Sequence, residues 1–384
     1  MATRRDKGEG SIYQRKSDGL WLAAYKPEGS DKTKYLSGKT EQEVKKKLRE
    51  YKKEIAKGDF SQIQKISVKD YMSNWFNDVK RFELKPKSLD ALTHTMNNQV
   101  FPLVGDLQIA TITAHDVQNM INALATANLA YSTIKKAYNA INSCFKLGII
   151  KGDIVKNPCV GVRLPKNLER KNKVRFLSQD EYELVCNQCV ALSSNGEPIY
   201  RLGHSVIVLL YTGMRIGELL GIKWKNINYM DKTVKVEGSV VYVMNRDPDK
   251  SDDDAKFKLL DQASLKTDAS VRTIVLNQKA MDALKAIQKI NGTHQHVMTN
   301  SNGNLFSPRN FDRMLRAIMV RCGLEPCGAH TLRHTFASML FKNGVDVKTV
   351  SELLGHSDVS VTYNTYIHLI KEQKQQAVEI LDKL

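Results

Sequence analysis

The chain has 384 residues, 42% hydrophobic and 26% charged, and a net charge of +17. This composition supplies material for packed cores and excludes a disordered, collagen-like or purely coiled-coil chain. A basic excess of this size favours a polyanionic partner, because each Lys or Arg placed near a phosphate releases a condensed counterion. Nucleic acid is the first expectation, since no stretch approaches the ~18 consecutive apolar residues of a membrane span. The N-terminus has basic residues with no apolar run behind them, so a cytoplasmic protein is expected. Six cysteines in so long a chain do not make a disulfide framework.

Residues 1–66 carry 17 Lys and Arg against 10 Asp and Glu. Ser11–Tyr13, Trp21–Tyr25 and Lys34–Leu36 read as short strands separated by Gly- and Pro-containing turns. Thr40 with Glu43 three residues on forms a capping-box pattern, followed by Val44, Leu48, Tyr51 and Ile55 at helical spacing up to about Gly58. A three-stranded sheet backed by one helix is expected.

From 67 to 162 the period is helical, with Val68, Tyr71, Met72, Trp75, Phe76 and Val79 on one face and Val117, Met120, Ile121 and Leu124 on another. Helix starts are expected at Ser67, at Thr113 with Asp116, and at Ser132, the last heading a basic helix with Lys135, Lys136 and Lys146. Four or five helices are expected. Residues 163–175 hold six basic residues and one acid with no apolar period, including Arg163, Lys166, Arg170, Lys171, Lys173 and Arg175. This reads either as a solvated tether or as a linker lying on phosphate.

Residues 176–384 read as a mixed, mainly helical region. Helical patterns are expected from Ser178 with Glu181, from Arg201 to Tyr211 and from Ile216 to Leu220. Strands are expected at Thr233–Val243, Phe257–Leu260 and Val271–Leu276, and the rest is helical. Asn245–Asp254 is a polar insertion expected at a hairpin tip, where Asp252, Asp253 and Asp254 sit as an exposed cluster.

Four stretches in this region could carry chemistry, and each alone has an ordinary reading. Arg215 and Glu218, between close glycines, share one face at a helix start, as an ordinary surface pair also would. Lys266 precedes a Thr-Asp-Ala-Ser turn, where it could donate a proton into a groove or stand exposed on a strand. His330 and Arg333 are one helical turn apart; His330 and His334 at i, i+4 raise zinc as a competitor, though without an adjacent Glu or an obvious third ligand. Leu354-Gly355-His356 is followed by Tyr366, which alone would read as core packing. Cys186 and Cys189 lack a second pair at zinc spacing and read as helix packing.

Taken together, Arg215, Lys266, His330-x-x-Arg333, Leu-Gly-His356 and Tyr366 resemble, in order and spacing, the motifs of the tyrosine recombinases, specifically the phage-integrase branch. The resemblance implies an arm-type DNA-binding domain over 1–66 (a small AP2-like sheet plus helix) and an all-α core-binding domain over 67–162. It implies a basic linker over 163–175 and a mainly α catalytic domain with a small antiparallel sheet over 176–384. It assigns Tyr366, ten residues after His356, as nucleophile in preference to Tyr363. Arg215 and Arg333 would hold the phosphate, Lys266 would protonate the leaving oxygen, His330 would manage the tyrosine proton, His356 would bond the phosphate, and Glu218 would support Arg215 or His330. The basic residues Lys135, Lys136, Arg163, Lys166, Arg170, Lys171, Lys173 and Arg175 are candidates for contact with DNA.

The implied activity is site-specific integration and excision of a phage or other mobile element through a 3′-phosphotyrosine intermediate. No cofactor and no metal are expected. The partners implied are double-stranded DNA at core and arm sites and a homotetramer on DNA, with a DNA-bending protein and an excision factor as further candidates; residues 371–384 would dock on a neighbouring protomer or close their own domain. A resolvase or inversion enzyme, a type IB topoisomerase, a catalytically silent DNA-binding regulator and a metal-dependent nuclease are the alternatives.

Overall fold

The computed structural model describes residues 11–15, 19–25, 33–57, 66–154, 156–165, 175–247, 255–262, 271–367 and 370. The chain divides into two compact units, Met1–Arg170 and Lys171–Leu384.

The first unit opens with β1 (Ser11–Gln14), β2 (Trp21–Tyr25) and β3 (Lys34–Gly38), a meander in the order β1-β2-β3. Both pairings are antiparallel, with Ser11 opposite Ala24 and Trp21 opposite Gly38. Helix α1 (Glu41–Lys57) follows, entered as the sequence predicts: the Glu43 backbone N–H donates to Thr40 Oγ1, and Glu43 accepts from the Lys39 N–H. Val44 and Leu48 of α1 pack with Ala23 as a small core of their own. Such a sheet exposes its other face unless something covers it, and Tyr13 and Tyr35 are exposed.

The helical part begins with α2 (Val68–Trp75), capped by Ser67, and runs through a π-helical turn (Phe76–Lys80) into α3 (Arg81–Glu83). Next, α4 (Pro86–Thr95) passes through a second π turn (Met96–Val100) into α5 (Phe101–Val104). The second wide turn has a cause: Pro102 has no N–H to donate, and its ring crowds the carbonyl four residues back. Helix α6 (Ala114–Thr126) starts with the predicted Thr113–Asp116 capping box and buries Val117, Met120, Ile121 and Leu124. Helix α7 (Tyr131–Lys151) starts one residue before the predicted Ser132, with Ala130 as an N-cap that makes no side-chain bond, and stops at Gly152 in the left-handed region. Val68, Met72 and Trp75 join the α6 and α7 faces in one core, with Tyr71, Phe76 and Val79 at its edge.

In the second unit, α8 (Gln179–Cys189) carries the predicted Ser178–Glu181 capping box. Helix α9 (His204–Thr212) begins three residues after the predicted Arg201, which instead bonds the Thr299 carbonyl and Asn291. After α10 (Ile216–Gly221) come β4 (Ile227–Asn228), β5 (Thr233–Val236), β6 (Ser239–Met244), β7 (Phe257–Gln262) and β8 (Arg272–Val275). The predicted single strand Thr233–Val243 is two strands in two sheets, antiparallel β4-β5-β8 and antiparallel β6-β7. The break falls at Glu237–Gly238, where glycine weakens a ladder. Val234, Val236 and Ile274 point inward while Lys235, Thr273 and Val275 point out. Helices α11 (Gln278–Asn291), α12 (Pro308–Arg321), α13 (Ala329–Lys342) and α14 (Val347–Leu354) complete the itinerary, with a further helical stretch at 359–367.

The main core of this unit gathers residues from α8 to α13 and the β4-β5-β8 sheet, including Cys189, while Cys186 packs at its edge. A second cluster joins Ala337 and Phe341 of α13 to Val350, Leu354 and Tyr366. Among the described residues no helix is long and apolar enough to cross a membrane, and no group of three or more His, Cys, Asp or Glu is placed to hold a metal ion.

Candidate active site

Two chain reversals and one helix face deliver the polar side chains to one place. The first is the α9–α10 turn, where Gly213 takes a φ of +61° and a Cβ there would lie 2.4 Å from Phe336 Cδ1. That turn leaves Arg215 as the extended N-cap residue of α10 and puts Glu218 at its third position. Glu218 Oε2 accepts from the Arg215 backbone N–H at 2.9 Å, and Oε1 meets Arg215 Nη1 at 2.9 Å. The predicted pair therefore exists, and it is not a surface pair: Glu218 is 3% exposed.

The same carboxylate holds a second guanidinium that sequence reasoning missed, with Arg272 Nη2 2.9 Å from Glu218 Oε2. The expected partnership of Glu218 with Arg215 is present, and Arg272 stands where His330 was the alternative. Burial works against charge on Glu218, but bonds and attraction from Arg272 and then Arg215 outweigh it and hold the carboxyl below its ordinary range.

The second contribution comes from the first turns of α13, where His330 and Arg333 lie one turn apart. Arg333 is 3% exposed and spans two loops. Its Nη1 donates to the Gly213 carbonyl at 2.7 Å and its Nη2 to the Leu354 carbonyl at 2.8 Å. Burial, then the neighbouring charge of Arg215, lowers its pKa to about 9, which still leaves a guanidinium charged at neutral pH.

The third is the end of α14, where Gly355 adopts φ +65° and releases His356 toward Arg333. Arg333 Nη2 and His356 Nε2 are 2.8 Å apart. A guanidinium can only donate, so Nε2 accepts, and the ring proton sits on Nδ1, facing Thr362 Oγ1 at 2.7 Å. This neutral form agrees with burial and the positive charge of Arg333, Arg215 and Arg272, which push His356 down to about 4. His330 is exposed on the helix, yet desolvation of its ring, aided by Arg333 and Arg215, also lowers its pKa.

Tyr366 lies within the 359–367 helix, 1% exposed, with its ring 5.3 Å from that of Phe341. Its hydroxyl is 2.7 Å from Nδ1 of His334, and His334 meets the His330 ring edge-on at 4.9 Å. The i, i+4 histidine pair thus has one ring nitrogen engaged by a tyrosine. Burial raises the Tyr366 pKa above the ordinary phenol value, with Arg333 pulling the other way.

Arg215, Glu218, His330, Arg333, His356 and Tyr366 are therefore gathered around α13, and among the described residues three guanidiniums, counting Arg272, meet one carboxylate. Such a net positive, partly enclosed site suits an anion with several oxygens. Lys266 and its turn lie outside the described residues, as do the tip of the 245–254 insertion, residues 371–384 and, among the basic candidates, Lys166, Arg170, Lys171 and Lys173. Lys135 and Lys136 are exposed on α7, and Arg163 is exposed with its backbone clasped by Gln118. Arg175 is turned inward, donating to the Glu325 carbonyl at 2.8 Å. Sequence reasoning passed over Arg272, at the head of a strand six residues after Lys266, and the roles of His334 and Thr362 had no local sequence cue either.

Residues 175–373 match the phage integrase family, and residues 68–164 match the phage integrase central domain. A tyrosine recombinase XerC-like protein of Caldanaerobacter subterraneus subsp. tengcongensis is 31% identical over 371 residues, covering 91% of this chain and 92% of its own. The ICEBs1 integrase of Bacillus subtilis is 23% identical over 316 residues, 78% of each chain. In fold, the Tn1549 transposon integrase in complex with a circular intermediate DNA superposes with a TM-score of 0.63 at 18% identity, covering 81% of this chain and 99% of that one. A lambda integrase dimer bound to a COC′ core site gives a TM-score of 0.58 at 17% identity, over 95% of this chain and 96% of that one. With two family regions in tandem and a relative alike over nearly its whole length, this chain belongs to the phage integrase family of tyrosine recombinases.

Proposed function

We propose that this protein is the site-specific integrase of a mobile element, cutting and rejoining DNA strands through a covalent 3′-phosphotyrosine at Tyr366. The observation that carries this reading is the convergence of Arg215 and Arg333 with neutral His356 and His330 beside the α13 helix that also packs Tyr366. The integrase names and DNA complexes among the relatives and fold neighbours support the same reading.

Attack of the Tyr366 oxygen on a scissile phosphate forms the tyrosine–phosphorus bond and breaks the bond to the 5′ oxygen. Negative charge grows on the non-bridging oxygens in that step, and Arg215 and Arg333 are the forked donors that stabilise it. His356, neutral and carrying its proton on Nδ1, adds a hydrogen bond as its ring turns toward the phosphate. His330 takes the tyrosine proton, and Lys266 gives one to the departing 5′ oxygen. The phosphotyrosine retains the energy of the phosphodiester, so a 5′ hydroxyl from a second strand reverses the chemistry without nucleotide hydrolysis. The scheme needs neither cofactor nor metal.

On this reading residues 1–66 bind arm-type DNA, 67–162 hold the core site from one side, 163–175 form the basic connection, and 176–384 catalyse. Lys135, Lys136 and Arg163 are placed on exposed positions suited to phosphate. Exchange of strands between two duplexes calls for four protomers on DNA, working wherever the host keeps its chromosome.

The test is a nicked suicide duplex carrying the crossover sequence, incubated in EDTA with wild type and with Tyr366→Phe, then run on a denaturing protein gel. A covalent band in the wild type alone supports the reading. A band retained in Tyr366→Phe moves the nucleophile to Tyr363, and no band on DNA that the protein binds favours a silent regulator.

A further inference from the structure

We propose that Arg272 is a positioning residue of this site, a bridge that sets Arg215 and His356 at one separation by holding Glu218 and the α14 C-terminal turn together. The proposal rests on the reading of the site given above. Arg272 opens β8, and its side chain is 10% exposed. Its Nη2 reaches Glu218 Oε2 at 2.9 Å, while its Nε donates to the Leu353 carbonyl at 3.3 Å.

The bridge needs the glycine beside it. A Cβ on Gly355 would lie 2.9 Å from Arg272 Nη1 and 3.0 Å from its Cδ and Cζ, so the guanidinium packs against bare backbone. Gly355 directly precedes His356, and the adjoining Leu354 carbonyl accepts from Arg333. One planar cation therefore touches the carboxylate that orients Arg215 and the turn that presents His356 and receives Arg333.

Electrostatics points the same way. Glu218 gives Oε1 to the Arg215 side chain, while Oε2 takes both the Arg215 backbone N–H and Arg272. Without Arg272, Oε2 keeps only that backbone N–H and has room for a second Arg215 side-chain donor, the fork geometry that carboxylates and guanidiniums favour. Donors that should face the phosphate would then face Glu218. Arg272 acts through Glu218 and the turn, the two groups that its Nη2 and Nε bond. Lysine cannot replace it, because a single ammonium lacks the planar fork that spans two acceptors.

The experiment measures single-turnover covalent-complex formation on the suicide duplex, together with DNA affinity by anisotropy. The proteins are wild type, Arg272→Gln, Arg272→Lys, Glu218→Gln, the Arg272→Gln/Glu218→Gln double variant and Tyr366→Phe. The expected result is cleavage slowed about 10-fold or more in Arg272→Gln with DNA affinity within about two-fold, the pattern of a lost transition-state interaction. Arg272→Lys should remain at least about three-fold slow, and the double variant should be no slower than its slower parent, because the two residues act as a unit. A purely structural role would lower melting temperature, affinity and rate together. Wild-type rate in Arg272→Gln or Arg272→Lys, or multiplying effects in the double variant, overturns the proposal. If Arg272→Gln does not melt cooperatively, Arg272→Lys decides. Absence of a covalent complex with wild type would instead overturn the reading of the site.

Discussion

The Tyr366 hydroxyl and Nδ1 of His334 face each other at 2.7 Å, inside a cluster that leaves Tyr366 1% exposed. Burial, then His330 and Arg333, pushes His334 down to about 4, while burial pushes Tyr366 up. Both partners are therefore neutral, and the His334 tautomer sets which of the two donates. A phenol enclosed this way cannot meet a duplex phosphate until it leaves His334. His334→Ala should lower stability by about 1–3 kcal/mol, the cost of a buried hydroxyl without a partner, measured by urea denaturation. Covalent-complex yield per bound protein should not fall. A large loss of cleavage in a well-folded variant would place His334 in the chemistry instead.

Acid should weaken the second unit before its carboxylates titrate. His334 and His356 are both depressed to about 4 in the folded chain, against about 6.5 when unfolded. Below 6.5 the unfolded chain binds protons that the folded one refuses, so the stabilisation present above pH 6.5 is lost as pH falls toward 4. Each contributes on the order of 3 kcal/mol across that window. The urea midpoint of wild type should drop between pH 6.5 and 4, and His356→Asn should flatten that drop; equal slopes would count against the pair.

Glu218 governs the next window. Its pKa is held below 4.5 despite burial, because Arg272 and Arg215 favour its charge. That contribution is complete above pH 4.5 and disappears as pH falls through the lowered value. Glu218→Gln should cost about 3 kcal/mol or more at pH 7, since it takes a buried carboxylate away from the two guanidiniums that bond it. Its stability should then fall less steeply than wild type below pH 4.5, which denaturation at pH 7 and in the acid range checks.

Gly213→Ala puts a Cβ at φ +61° and 2.4 Å from Phe336. The backbone conformation alone costs about 1–2 kcal/mol, and the ring must also move. Since Arg333 binds the Gly213 carbonyl, melting temperature and cleavage rate should fall together; an unchanged melting curve would contradict the tight turn.

Salt dependence tests the exposed lysines of α7. Replacing Lys135 and Lys136 by alanine should reduce the slope of log affinity against log salt by about 2 if both neutralise duplex phosphates. Binding titrations from low to moderate salt read it directly, and an unchanged slope removes both residues from the interface.

Local rules served the sequence well wherever one residue type has one physical use. The Thr113 and Ser178 capping boxes, the Val117–Leu124 face of α6 and the three strands before α1 all appear as read. The Arg215–Glu218 pair was legible because i, i+3 neighbours must share a helix face. Arg272 was not, because its partners are 54 residues upstream and 81 residues downstream. His334 was weighed only as a metal ligand, since nothing local reveals that Tyr366 folds back onto it. The run Thr233–Val243 misled for a related reason: β propensity is continuous there, and only tertiary pairing sends β5 to β8 and β6 to β7.

The π turn ahead of Pro102 has a consequence for how this helical unit can change in length. A wide turn holds one residue more than an α turn, so it acts as a phase shifter between the apolar stripe of α4 and that of α5. Deleting one residue from Met96–Val100 would let the ladder close as an ordinary turn with everything beyond it still in phase, whereas deleting one from α4 itself would rotate it by about 100°. That second deletion would swing Val104 out of the core it now fills. The proline thus keeps the two stripes aligned across a segment whose residue count no straight helix would tolerate.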